Sequence, residues 1–292
     1  MRDTMKRKWK GVIMAAGILL AATAGEAGAA SLAGTPEGYD RAQAAEAGYS
    51  ALYGKSPMAL EKEDPEFAGM MKKYIYGDIR TQSVLPLRDQ ELTTLAVLTA
   101  THHPEWVEKE VSGALQGGVS PMDIREAIYQ TAPYTGFPDA LASLKEADKA
   151  FKKAGVKLPL EGKAVTNDAD RLYKGVDFQV GTYGERIRRM REEAPANQKA
   201  LQDDLSAFCF GDIYTRDSLD LRTREMITVA VIGAMGIEPQ FKSHVAGALA
   251  AGMSQDEVIG IITIMNPYVG FPKTLNALRW AKEIFDRNRG QA

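Results

Sequence analysis

The sequence predicts an all-α fold built from two similar halves. Three observations carry this. The stretch Gly77–Ala147 is repeated, without a gap, as Gly211–Ala281 at an offset of 134 residues. Within each copy the apolar residues recur at helical spacing, and no run of alternating residues is long enough for a convincing strand. Neither copy holds an obvious complete core, so the two are expected to pack together as a pseudo-dimer within one chain.

The first residues stand apart from that fold. Met1–Lys10 carries Arg2, Lys6, Arg7, Lys8 and Lys10, an apolar run follows to Ala24, and Ala27-Gly28-Ala29 is a small-residue cleavage pattern. This is the form of a secretory signal peptide, too short for a good membrane span. Cleavage after Ala29 would give a secreted or periplasmic protein with no stable membrane insertion. Ala30–Tyr49 reads as a flexible lead rich in small residues. The expected organisation is a signal segment at 1–29, a lead at 30–52, a first repeat at 53–154, a connector at 155–180 and a second repeat at 181–288.

Helices follow in order. Pro65–Tyr76 spaces Phe67, Met70, Met71, Tyr74 and Ile75 for one face. Leu87–Ala100 is apolar on most sides, as a buried central helix should be. Pro104 opens a helix through Gln116 that Gly117-Gly118 stops. Ser120 caps a third helix with Asp123 three residues on. Pro133–Pro138 breaks the chain before an amphipathic helix, Asp139–Phe151. The second copy repeats the plan with Leu221–Met235, Pro239–Ala251, Val258–Met265 and Lys273–Phe285, and Ser254 with Glu257 forms another capping box. Gly155–Val180 lacks clear period apart from a short helical pattern at Ala169–Tyr173. Tyr183–Arg191 and Asn197–Phe208 read as lead-in helices.

Composition excludes several classes. The full chain has a net charge of -2, and loss of the basic leader makes the remainder more acidic, which argues against nonspecific nucleic-acid binding. Cys209 is the only cysteine, so no intramolecular disulfide forms. Its aromatic flanks favour packing over nucleophilic chemistry. No HExxH, P-loop, dinucleotide fingerprint or nucleophile elbow occurs, and neither a metal nor a cofactor is expected.

The copies differ where chemistry is concerned. His244 of the second copy stands where the first has Glu110. Histidine is the natural proton carrier near neutral pH, and the small neighbours of His244 suit either a pocket or close helix packing. Glu225 lies on the most buried helix, where a carboxylate must be paired or protonated. It could orient the imidazole, or it could pair with Arg222 or Arg224. On two helices running side by side, Glu225 and His244 would lie about 18 Å and 10 Å from the turn between them, so helix rise alone does not bring them together. Arg222 could hold a substrate carboxylate. The blocks PYTGFP and PYVGFP end a helix in each copy, and Tyr268 could form a substrate wall. His102 and His103 sit at a helix junction.

The segments FCFGDIYTRDSLDLRTREMITVAVIGA, HVAGALAAGMSQDEV and NPYVGFPKTLNALRWAKEIF resemble the carboxymuconolactone decarboxylase family, which includes the AhpD-like alkylhydroperoxidases. The resemblance is strong over Phe208–Phe285 and extends to Tyr76–Phe151. It implies an all-helical AhpD-like fold in two tandem repeats and a homo-oligomer, with a trimer of double-domain subunits as the expected form. In the peroxidase branch a glutamate, a CxxC pair and a histidine act together. The glutamate and histidine fall on Glu225 and His244, but the cysteines fall on Ile237 and Gln240. In the first copy the matching positions are Glu91, His103, Trp106 and Glu110. The resemblance therefore implies a cofactor-independent decarboxylase-like reaction on a small cyclic or enolisable carboxylic acid. His244 and Glu225 would be catalytic, and Arg222 and Tyr268 would contact substrate. The alternative is a noncatalytic secreted binding or assembly protein on the same helical shell.

Overall fold

The computed structural model describes residues 38–289; the signal segment expected at 1–29 lies outside the described residues. No strand occurs among them, and no helix there is long and apolar enough to cross a membrane. The chain divides into two compact units, one up to Pro86 and one from Leu87 onward.

The smaller unit begins with α1, Arg41–Tyr53. Sequence reading places a flexible lead here, and the structure corrects it. Asp40 caps the helix by accepting from the amides of Ala42 and Gln43. Ala45, Tyr49, Leu52 and Tyr53 are buried, a spacing of i, i+4, i+7 and i+8 that an alanine-rich composition hides. Helix α2, Pro65–Lys72, runs on through a π-helical stretch, Lys73–Ile79, and a last turn, Arg80–Gln82. Tyr49, Tyr53 and Tyr76 meet with ring centroids 4.9 to 6.0 Å apart and, with Leu52, Met58, Ala68 and Ile75, make the core of this unit.

The larger unit holds the four-helix core of both repeats. In the first, α3 is Leu87–Ala100, α4 Pro104–Gln116, α5 Pro121–Thr135 and α6 Phe137–Lys153. After the intervening segment come α7, Arg171–Tyr183, α8, Arg186–Glu192, and α9, Lys199–Asp204, which continues as a π-helical stretch, Leu205–Tyr214. The second core consists of α10, Leu221–Met235, α11, Glu238–Ala250, and α12, Gln255–Arg289. Helix α12 is broken at Gly270 and the first repeat at Gly136; their φ values of 75° and 83° are the left-handed backbone that glycine adopts freely.

Helix α7 is a second correction, because its sequence lies largely in the expected connector. It packs on the π stretch so closely that a Cβ on Gly175 would come 2.0 Å from the Ser206 carbonyl oxygen, and one on Gly211 2.1 Å from that of Arg171. It ends at Tyr183 with Gly184, φ 84°, as its cap, so of the expected helix Tyr183–Arg191 the first residue closes α7 and the rest begins only at Arg186. The pair α7 and π stretch is the counterpart of α1 and its own π stretch. Arg171 donates to both carboxylate oxygens of Asp212 at 2.9 Å, as Arg41 does to Asp78 at 2.8 Å. The repeat therefore reaches further upstream than sequence comparison shows, because the offset changes from 134 to 130 residues between these paired elements.

Helices α3 and α10 are the buried centre of the larger unit and pack against each other. Every residue from Asp89 to Ala100 and from Thr223 to Ala234 is buried. Each large apolar side chain so enclosed contributes about 1.5–3 kcal/mol. The capping serines act as expected: Ser120 accepts from the Asp123 amide at 3.0 Å, and Ser254 and Glu257 cap each other's amides at 3.1 and 2.7 Å.

A buried polar seam joins the repeats. Glu126 of α5 is fully buried and accepts from Arg216 at 2.7 and 2.8 Å, from Ser218 at 3.0 Å and from Arg125 at 3.1 Å. Burial pushes this carboxyl up, but the Arg216 guanidinium and the other donors bring it below its ordinary value of 4.5. A carboxyl depressed in the folded state adds stability that is present above the unfolded pKa and disappears as pH falls through the folded one. Thermal unfolding should therefore show a loss of stability on acidification below about pH 4.5. Glu126→Gln should flatten that acid limb and cost about 3 kcal/mol at neutral pH by leaving Arg216 unpaired. An unchanged acid limb in the variant would contradict this role.

Candidate functional site

Glu225 lies in the middle of α10 and is fully enclosed. No arginine pairs with it among the described residues. Its Oε1 accepts from the Tyr183 hydroxyl at 2.7 Å and the Tyr214 hydroxyl at 3.2 Å, and its Oε2 lies 2.9 Å from His244 Nδ1. The Tyr183 oxygen is also 3.1 Å from Nδ1. Glu225 and His244 thus meet, although helix rise separates their levels by about 8 Å on side-by-side helices. The long carboxylate side chain and the space over Gly247 close the gap. A Cβ on Gly247 would stand 2.8 Å from Glu225 Oε2 and 3.3 Å from the Tyr183 ring, so this glycine, one turn beyond His244, makes room for the contact.

The contacts select a tautomer. Burial first, and the negative charge of Glu225 among the other causes, hold the Tyr183 and Tyr214 phenols above their ordinary value, so both keep their protons and donate. With the Tyr183 proton directed to Oε1, Nδ1–H of the neutral imidazole donates to Oε2. Nε2 then carries the free lone pair and makes no hydrogen bond among the described residues. The His244 side chain is 12% exposed against 0% for Glu225, so the ring, not the carboxylate, reaches the surface. A buried carboxylate on one nitrogen and a bare second nitrogen is the arrangement of an oriented acid–base histidine.

The first repeat supplies one wall. Tyr134 of α5 meets the His244 ring edge-on, with centroids 5.8 Å apart, and Tyr183 does the same at 5.7 Å. The Tyr134 hydroxyl lies 3.0 Å from that of Tyr214, and the Tyr214 hydroxyl 2.9 Å from Thr228 Oγ1. Gln130 Nε2 donates to Thr228 at 3.3 Å, and the fully buried Arg224 donates to Gln130 Oε1 at 2.9 Å. Burial lowers Arg224 to about 10, which still leaves it charged at neutral pH. Cys209 is buried beside Phe210 and Tyr214, and burial pushes its thiol up to about 12. It is a protonated packing residue rather than a nucleophile.

Two expected site residues lie elsewhere. Arg222 donates to Asp89 at 3.0 Å and pairs with Glu257. It tethers α10 to α3 and α12 and does not touch Glu225. Its counterpart Arg88 likewise binds Asp123 at 2.6 Å. Tyr268 lines a different cavity, with His102 and Lys273. The tyrosine beside His244 is its counterpart Tyr134, because the wall facing the second repeat's site is formed by the first repeat. Sequence reading missed Tyr183 and Tyr214 as site residues. The available signal was the difference between copies: at the 134-residue offset, Arg80 stands where the second copy has Tyr214. Glu91 and Glu110, both buried, occupy the places of Glu225 and His244 in the first repeat. Among the described residues no group of three or more His, Cys, Asp or Glu could hold a metal ion.

The carboxymuconolactone decarboxylase family profile matches residues 65–149 and 199–283, more than half of the chain. The chain belongs to this family. The family domain occurs twice in tandem, on an AhpD-like all-helical fold. A 4-carboxymuconolactone decarboxylase of Acinetobacter baylyi is 28% identical over 120 residues, which is 41% of this chain and 90% of that protein. An uncharacterized 15.0 kDa protein from the nqo9-nqo10 intergenic region of Paracoccus denitrificans is 33% identical over 28% of this chain, which spans 63% of that protein. A solved structure of a candidate gamma-carboxymuconolactone decarboxylase subunit from Burkholderia xenovorans LB400 overlays with a TM-score of 0.49 at 16% identity, covering 87% of this chain and 99% of that one.

The space over Gly247 is testable. Gly247→Ala should displace the Glu225 carboxylate and cost about 1–3 kcal/mol by overpacking, read from urea unfolding. A variant as stable as the parent would show that the crowding is relieved at no cost and that the glycine is not required for the contact.

Proposed function

We propose that the His244 centre of this family member transfers protons in a cofactor-independent, decarboxylase-like reaction on a small cyclic or enolisable carboxylic acid. The observation that carries this reading is the Glu225–His244 contact with Nε2 left open. Similarity to a 4-carboxymuconolactone decarboxylase over 90% of that protein's length supports the same reaction class.

In such a reaction the bond between the carboxylate carbon and the ring carbon breaks and carbon dioxide leaves. The electron pair delocalises into the conjugated lactone as an enolate. His244, protonated at both nitrogens, donates its Nε2 proton to the resulting carbanion or enolate, while Glu225 stabilises the imidazolium from the Nδ1 side. Tyr183 and Tyr214 keep Glu225 in place as positioning residues. Tyr134 packs edge-on against the imidazole. Thiol-dependent peroxide reduction is not part of this proposal, because Ile237 and Gln240 occupy the cysteine positions of that branch and the one thiol, Cys209, is buried and protonated.

The test is turnover of 4-carboxymuconolactone by the chain from Ala30 onward, beside a folded His244→Ala variant. The expected outcome is carbon dioxide release by the parent and a loss of about 100- to 10,000-fold in the variant. No turnover by the folded parent would overturn this substrate and favour another acid or a noncatalytic binding role. Equal turnover by the variant would remove His244 from the mechanism.

A further inference from the structure

We propose that a second cavity, separate from the His244 centre, binds a small organic monocarboxylate. The cavity measures about 450 Å³, within the range of small-molecule sites. It forms where the C-terminal ends of α3 and α10 meet the two PYxGFP breaks, and both repeats line it. Thr135 lines this cavity, while its chain neighbour Tyr134 belongs to the other site.

Matched positions of the two repeats have diverged here. His102 stands where the second repeat has Gly236, and both backbones are left-handed, with φ of 61° and 77°. Glycine takes this conformation freely, whereas a side chain there is strained. The strained histidine is held from one side, its Nδ1 lying 2.8 Å from Asp139 Oδ1. His103 is held likewise through Nδ1, 3.0 Å from Glu105. Neither histidine's Nε2 has a partner among the described residues. Lys273, at the position matching Asp139, donates to the Ala234 carbonyl at 2.6 Å, capping the end of α10. It has no carboxylate partner among the described residues, and its ammonium has two further N–H groups to offer.

One part of the lining is thus an ammonium and two oriented imidazoles, and another is Met235 and Val269. A carboxylate accepts from Lys273 and, in the imidazolium form whose Nδ1–H stays on Asp139 or Glu105, from the Nε2–H of each histidine, and an apolar body packs on the methionine and valine. An organic monocarboxylate satisfies both.

The probe is benzoate, titrated into the full chain while the histidine Cε1–H resonances are followed by NMR. Saturable shifts of the His102 and His103 resonances are expected. Lys273→Gln and His102→Gly should each weaken the apparent affinity by at least about tenfold, the loss of one charge-assisted contact. His102→Gly installs the residue that the second repeat uses at this φ, so it should fold at least as well as the parent, and weaker binding cannot be ascribed to misfolding. His244→Ala should leave the titration unchanged. Absence of a saturable shift, equal affinity in both cavity variants, or loss of the titration in His244→Ala would each overturn the proposal.

Discussion

A carboxylate sealed inside a helix bundle is the constraint on which the site depends. Glu225 is fully buried on the most enclosed helix, and a charge in that position is tolerated only if donors replace water. Pairing it with arginine would satisfy the charge but leave it inert. Here the nearby guanidiniums are occupied elsewhere, Arg222 with Asp89 and Glu257, Arg216 with Glu126. The donors to Glu225 are two phenols and an imidazole. Behind them Arg224 donates to Gln130 and Gln130 to Thr228, which bonds Tyr214, so a buried cation is linked to the buried anion through polarised hydrogen bonds. Tyr214 is buried, whereas His244 and Tyr183 are only partly so, and the carboxylate's influence is expressed through the imidazole, whose Nε2 is left without a partner among the described residues.

Duplication gives the two repeats different duties around this carboxylate. The second supplies Glu225, His244, Tyr183 and Tyr214. The first, with Glu110 in place of the histidine, supplies Tyr134 and Gln130, and Glu126 locks the seam through Arg216. Divergence at the second cavity follows the same logic, with His102 and Asp139 on one side and Lys273 on the other. In both places a nearly symmetric scaffold carries asymmetric chemistry, because helix packing depends on the shared apolar positions and tolerates changes at polar ones.

Sequence reading reached the all-helical duplicated fold because the central helices are apolar on every side and the caps Ser120 and Ser254 sit where capping chemistry requires. It also singled out Glu225 and His244, one by burial and the other by its difference from Glu110. It missed α1, whose buried stripe is written mostly in alanine and tyrosine, and most of α7, where glycines mark a close crossing rather than a loop. Their kinship was hidden by a change in offset. Arg222 and Tyr268 lie apart from His244 for a tertiary reason. Which arginine meets which acid, and which repeat's tyrosine faces which site, depend on how α5, α10 and α12 pack, and periodicity along one helix carries no such information.

The most direct test of this account is the 15N NMR spectrum of His244 in the neutral imidazole state, assigned by comparison with His244→Ala. The clamped carboxylate requires the proton on Nδ1, facing Glu225, with Nε2 bare. A neutral ring protonated on Nε2 would contradict it, since Glu225 would then not be the acceptor that orients the histidine.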